Sequence, residues 1–285
     1  MGILLAVTAM FSWGLGDFLI EKSARKFGDW IALFYITAFG AIVLFPFVYA
    51  DIGAAFTSHA SILWIASMIM LLAALFDFEA LRIGKISVVE PIFAFEVPVA
   101  GFFAAVLIGE RLAPMQIFFI AILVVGIFLV STRSFSHFKN LHLERGTGYA
   151  IIAMVGMGLS SFLFGLGARE TSPLMINLAS DLFIAVISIF YLSLSGKLSE
   201  ITQDFRTNKR LILNVGFFDN LAWIAFSYAM LYIPIAIAVG VSEGYIAFAG
   251  GLGLLFNKEK LKTHQWVGFC LSAAAIIALA AVTDR

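Results

Sequence analysis

Charged residues are scarce in this sequence. Asp, Glu, Lys and Arg make up 13% of its 285 residues, where a soluble domain carries about a quarter. Cysteine is nearly absent: Cys270 stands alone in an apolar run, so no internal disulfide, thiol-based zinc set or redox pair can be built. Histidine is equally thin, and His59, His137, His142 and His264 all fall in expected loops. HExxH is missing, as is any Ser/His pair in a motif context, so hydrolytic and metal-dependent chemistry have no residues to carry them and no enzyme is expected. The 18 basic and 18 acidic residues balance, which removes the electrostatic footprint of a nucleic-acid binder. No basic stretch precedes the first apolar run either, so that run is expected to be a retained helix and not a cleaved signal peptide.

What the chain has in abundance is apolar surface. Hydrophobic residues reach 62% and the mean hydropathy is +1.02. A membrane-crossing helix needs about 20 mainly apolar residues. Ten segments qualify, at roughly 2–20, 30–50, 62–81, 86–108, 115–131, 148–168, 173–194, 211–232, 235–256 and 265–282. The joins at 82–85 and 232–234 are very short, whereas 131–146 and 195–210 are longer and polar. The expectation is an all-α integral membrane protein with no separate soluble domain, inserted as a multi-pass protein in a cytoplasmic (inner) membrane.

The two halves resemble each other. A shift of 149 residues lays the fourth and fifth spans on the ninth and tenth, matching Ala80/Ala229, Ile86/Ile235, Gly101/Gly250, Glu110/Glu259, Leu112/Leu261 and Gln116/Gln265. A shift of 144 does the same for spans one and six, matching Gly14/Gly158, Phe18/Phe162 and Arg25/Arg169. Five spans per unit is an odd number, so the second copy enters the bilayer inverted. Inverted repeats are the architecture of alternating-access transporters, which bind their solute near the midplane. The division is 1–135 for the first repeat, 136–147 for a polar linker and 148–285 for the second. Lysine and arginine counts set the orientation: 15 of the 18 follow odd-numbered spans, against Arg111, Arg169 and Arg285 on the other side. That asymmetry puts both termini outside the cytoplasm.

Trp13-Gly14 in the first span, Ser87-Val88-Val89-Glu90-Pro91 opening the fourth and Gly109-Glu110-Arg111-Leu112 closing it, echoed by Lys258-Glu259-Lys260-Leu261, resemble the drug/metabolite transporter superfamily, EamA type, over essentially the whole chain. The resemblance implies two inverted five-helix halves around a central cavity lined by spans one, three, four, six, eight and nine. It also implies transport, often export, of small metabolites. Two features depart from the pattern: Gly240 stands where Pro91 would recur, and such proteins are usually drawn with cytoplasmic termini.

Eight acids fall within the spans: Asp17, Asp77, Glu79, Glu90, Glu96, Asp181, Asp219 and Glu243, with no Lys or Arg at any span's middle. A charge at a helix centre costs about 2.5–3.5 kcal/mol on insertion scales, so eight acids cannot simply face lipid. Burial away from a cation favours a carboxyl's protonated form, which suits such groups to carry protons or to neutralise a cationic solute. Glu79, Asp77 and Glu90 lie near the 82–85 join, where interfacial solvation is the plain reading, and Glu90 is within reach of Lys85 or Arg82. Glu96 and Glu243 sit mid-span on the two spans expected at the cavity centre. Asp181 lies on the seventh span, which the resemblance makes peripheral, and a hydrogen bond between helices would account for it.

Trp13/Asp17 and Asp219/Trp223 are spaced i, i+4, so each pair shares a helix face and could cradle an amine through charge and cation–π attraction. Asp17 also lies in GLGDF, which resembles the GxGD motif of presenilin-type intramembrane proteases, but the chain has no Tyr-Asp or Pro-Ala-Leu to complete that dyad. The glycines of spans six and nine, Gly240-x-x-x-Gly244 among them, read as close-packing positions, with a bend at Glu243 as the functional alternative. Pro91, in the first turn of its span, is not expected to act as a hinge.

The candidate substrate set is therefore Trp13, Asp17, Glu96, Asp219, Trp223, Glu243 and Tyr245, with Glu90, Glu96, Glu243 and Asp77 as candidates for proton coupling. The expected partners are a small-molecule substrate, protons and the bilayer, in a monomer or homodimer with no cofactor and no metal. A proton-coupled exporter with a preference for amines leads. An uncoupled uniporter or exchanger of a polar metabolite such as an amino acid stands second, and a channel or receptor-like membrane protein is the reading from another class.

Overall fold

The structure, a computed structural model, describes residues 1–84, 86–132, 146–248 and 262–283, without the side chains of Asp17, Phe18, Glu21 and 86–88. Those residues form helices and short joins: α1 (Gly2–Phe27), α2 (Asp29–Val48), α3 (Ile52–Ser58), α4 (Ala60–Ile83), α5 (Ile86–Phe93), α6 (Glu96–Leu107), α7 (Pro114–Ser131), α8 (Thr147–Glu170), α9 (Pro173–Leu194), α10 (Leu198–Tyr232), α11 (Ile235–Glu243) and α12 (Thr263–Thr283). Eight helical stretches among the described residues are long and apolar enough to cross a membrane. Two shorter apolar ones are Gly2–Gly16 and Ile235–Phe248. In a bilayer every backbone N–H and C=O must be satisfied internally, and an all-helical chain does that.

Helices of the first half pack on helices of the second: α1 on α10, α2 on α9, α4 on α8, α6 on α11 and α7 on α12. The core cluster therefore runs through both halves and leaves its gap at their interface. At the α7–α12 crossing a Cβ on Gly268 would lie 2.6 Å from the Gly126 carbonyl oxygen, so the two backbones touch only because both residues are glycine. Repeat-matched glutamines cap these two helices in the same way. Gln116 Oε1 accepts the Ala113 N–H at 2.9 Å and Gln265 Oε1 accepts the Lys262 N–H at 3.1 Å. Each amide then reaches the other helix, Gln116 Nε2 to Thr283 Oγ1 and Gln265 Nε2 to the Val130 carbonyl.

The fourth span is broken. α5 ends at Phe93 and α6 begins at Glu96, with Phe95 at φ −84°, ψ 0° between them. Pro98 is the cause: it has no N–H for the Ala94 carbonyl four residues back, and its ring crowds that carbonyl. The hinge-like feature is thus Pro98, while Pro91 lies inside α5. The ninth span stops being regular at Gly244, where α11 ends and a further turn over 245–248 follows.

Four expectations are corrected. The polar 195–210 stretch is not a loop: α10 starts at Leu198 and bends at Asn208 (φ −127°, ψ 27°), where Lys26 Nζ donates to Asn208 Oδ1 at 2.6 Å. Tyr35 donates to the Ile201 carbonyl, and Ile201 packs on the small cluster of Phe27, Ile31 and Tyr35, so this polar turn buries one apolar edge. An extra short helix, α3, precedes the third span. His264 lies in the first turn of α12, its Nε2 2.8 Å from the Thr132 carbonyl oxygen. Last, the seventh span is not peripheral, as the cavity makes plain. Gly250, Gly251, Gly253, Lys85, Glu259 and most of the proposed 136–147 linker lie outside the described residues.

Candidate functional site

Between the halves lies a cavity of about 160 Å³. Its size compares with engineered cavities of about 150 Å³ that take benzene, so a small solute fits. Asp77, Glu90, Glu96, Asp181, Asp219 and Glu243 all line it, and no Lys or Arg is in its wall among the described residues. Six of the eight acids that the spans carry thus converge on one space. Glu79 does not line it; it accepts hydrogen bonds from the Arg82 guanidinium on the same helix (Nε–Oε2 2.9 Å). The backbone of Asp17 lies in α1, and its side chain is outside the described residues.

Glu96 and Glu243 are 7% and 6% exposed, so each is almost sealed from bulk water. Glu96 opens α6, directly after the Pro98-imposed break, and its Oε1 accepts a hydrogen bond from Ser161 Oγ at 2.7 Å. Glu243 closes α11, directly before Gly244. The positive end of one helix dipole thus lies beside Glu96 and the negative end of another beside Glu243. Broken helices that present their ends to a midplane cavity are how membrane proteins bring polar backbone to a solute.

Aromatic rings form a second wall. Trp13 and Trp223 meet edge to face, ring centroids 5.1 Å apart, and Phe226, Phe164 and Tyr245 extend the cluster. Asp219 and Trp223 line the cavity together, one turn apart on α10. Carboxyl groups and aromatic faces, which both attract cations, thus share one small cavity.

Sequence reasoning overlooked the contribution of α9. Asn177, Ser180 and Asp181 face the cavity at i, i+3, i+4 spacing, a polar stripe on an otherwise apolar helix. That stripe is the signal the sequence carries for an inward-facing α9. Asn177 Nδ2 donates to Ser227 Oγ at 2.8 Å and to the Pro173 carbonyl at 2.7 Å. From α2, Thr37 joins the wall.

At one end of the bundle a polar knot ties four elements. Gly109, at φ +65°, turns the chain after α6 as only glycine does without strain, and delivers Glu110. Glu110 Oε2 accepts the Ile235 N–H at the start of α11 at 2.8 Å, and Oε1 pairs with Arg169 Nη2 at 2.9 Å. Arg169 also donates to the carbonyls of Met230 at 2.9 Å and Ile233 at 3.3 Å. Toward the other end, the cavity reaches Ile20, Phe78 and Leu81, which also line a smaller pocket with Arg25 and Arg82.

These features define an integral, multi-pass membrane protein with a solute-sized cavity at the interface of its halves. The chain belongs to the EamA-like transporter family, which it matches over residues 1–132 and 144–281, and so to the drug/metabolite transporter superfamily. The two matched stretches are the two repeats of that architecture. No curated protein matches the chain. A solved structure described only as "Crystal structure of protein" superimposes with a TM-score of 0.71 at 15% identity, covering 100% of this chain and 98% of that one, and shares its fold.

Proposed function

We propose that this transporter is a secondary exporter of small cationic or amine solutes, driven by protons moving the other way across the cytoplasmic membrane. One observation carries the reading: the cavity gathers six carboxyl side chains and an aromatic cluster, with no Lys or Arg among the described residues that line it. The ionised carboxyl groups repel an anion, and a cation finds both charge and ring faces. Glu96, Glu243, Asp219, Trp13, Trp223 and Tyr245 are the substrate seat, and the cavity's acids, with Asp77 and Glu90, exchange the protons.

The architecture that goes with it is ten spans in two inverted repeats. The helix pairing supports this, because exchanging the halves turns the α1–α10 contact into the α4–α8 contact and leaves α2–α9, α6–α11 and α7–α12 as they are. With the basic ends in the cytoplasm, the end of the cavity near Arg25 and Arg82 faces inward, where an exporter loads its solute.

The test uses purified protein in liposomes with an internal pH dye and a panel of quaternary ammonium compounds, amines, neutral amino acids and sugars. Cationic solutes are expected to move protons, and Glu243→Gln is expected to weaken their binding about tenfold or more, as loss of a charged hydrogen-bonding partner does. Proton-independent counterflow of neutral amino acids, with no response to cations, would overturn the cationic reading in favour of an exchanger of polar metabolites.

A further inference from the structure

We infer that Asp181, set against Asn220 over Gly40, is the proton-binding site of the transport cycle. The inference rests on the proton-coupled reading and names a residue that neither the family motifs nor the i, i+4 pairs point to. Asp181 lines the cavity, yet its Oδ2 is buried and has no hydrogen-bond partner among the described residues. That oxygen and Asn220 Oδ1 converge on Gly40 so closely that a Cβ on the glycine would collide with both. The Asn220 amide cannot turn to help. Its Nδ2 donates to the Ile36 carbonyl at 3.0 Å and the Gly216 carbonyl at 2.9 Å, which leaves Oδ1, an acceptor, at the place over Gly40 that Asp181 Oδ2 also occupies.

Asp181 Oδ2 therefore has an acceptor as its neighbour and no donor among the described residues, an arrangement that costs free energy unless the carboxyl gains a hydrogen. A proton on the Asp181 carboxyl supplies it, because the protonated acid donates O–H to Asn220 Oδ1. A divalent metal ion fits the place poorly. Hard divalent ions take about six oxygens or more, Asp181, Asn220 and Ser180 offer few, and no group of three or more His, Cys, Asp or Glu among the described residues could hold one. Ser180 supplies a second, independent sign. It is 3% exposed, lines the cavity beside Asp181, and its Oγ has no hydrogen-bond partner among the described residues. A hydroxyl both accepts and donates, so this one is placed to pass a proton between cavity water and the acid. In the step itself a hydronium ion gives its proton to the carboxylate, leaving water and the neutral acid, and release reverses it.

The charged surroundings tie this proton to the solute. From α10, Asp219 is close enough to repel Asp181, and from α4 Asp77 shares the wall. Among the described residues the faces of α2 and α8 add no titratable side chain to the wall, while Glu90, Glu96, Glu243 and Tyr245 lie around the rest of it. A cation arriving at Asp219 and Trp223 brings the positive charge that lets Asp181 give up its proton. Substrate and proton then compete without sharing a seat, which is what antiport requires.

The test compares the intact protein with Asp181→Asn in liposomes, using benzyltrimethylammonium, whose permanent charge removes passive amine leak. The asparagine keeps a donor for Asn220 Oδ1, so a merely structural hydrogen bond survives the change and the fold with it. Counterflow of labelled benzyltrimethylammonium is expected to persist in Asp181→Asn while solute-driven proton movement is lost. Proton movement retained in Asp181→Asn would overturn the inference and leave the proposed function standing. Absence of both binding and counterflow in the unaltered protein across the cationic panel would defeat the proposed function, and this inference with it. Should Asp181→Asn prove unstable in a thermal melt, Asn220→Ala serves instead: a shifted pH midpoint of proton movement supports the site, and an unshifted one refutes it.

Discussion

Glu110 shows how a single side chain can be visible in a sequence while its task is not. The Gly-Glu-Arg-Leu run at 109–112 was legible as a motif, and its partners, Arg169 and the Ile235 N–H, lie too far along the chain for any local pattern to predict. The same holds for Trp13 and Trp223, each recognised beside an acid and neither foreseen as the other's neighbour. Asp181 reads as peripheral from the resemblance, and nothing in a sequence says that Asn220 and Gly40 will crowd one of its oxygens. Side-chain periodicity reports which residues share a helix face; which faces meet is decided by packing between helices. The knot at Glu110 makes a prediction at this scale. Glu110→Gln removes the ionic half of the Arg169 contact and is expected to destabilise that end of the bundle by about 1–3 kcal/mol. Faster hydrogen exchange at the start of α11, against unchanged exchange in the α7–α12 pair, is the measurement that checks it.

For the helices, length and apolarity were readable because the bilayer imposes both. All ten apolar segments hold helix among the described residues, whereas interruptions and extensions were missed. The break before Glu96 follows from Pro98, a residue in plain sight whose effect falls four positions earlier. The extension of α10 back to Leu198 was hidden because its turns are polar, and hydropathy cannot tell an amphipathic helix from a loop. A proline inside a helix costs about 3 kcal/mol relative to alanine, so the broken span is a sacrifice of stability at the place where the cavity needs a helix end. Pro98→Ala is expected to rejoin α5 and α6, raising the melting temperature in detergent and slowing transport, since Glu96 would lose its place at a helix start. A melt combined with a flux assay tests both arms, and a faster, more stable variant would contradict the assignment.

Across the whole molecule, each first-half span leans on a second-half helix, and between the halves lies the acid-lined cavity. The class of protein could be read from composition, and so could the concentration of acids within the spans. Their convergence required the fold, since spans two and seven had to come inward to complete the wall. On the proposed reading, a wall with six carboxyl groups and no Lys or Arg among its described residues acts as a few-site bead of cation-exchange resin. Such a bead does not distinguish its guest from the counterions of the buffer except by fit, so every monovalent salt ion is a competitor. The apparent affinity for a quaternary ammonium solute should therefore fall as sodium chloride is raised, and calorimetric titration at stepped salt would show it. An affinity indifferent to salt would mean that the rings, and not the charges, hold the guest. For a cell this makes the ionic strength of the compartment facing the open end a setting on the transporter, one that acts without any regulator binding to it.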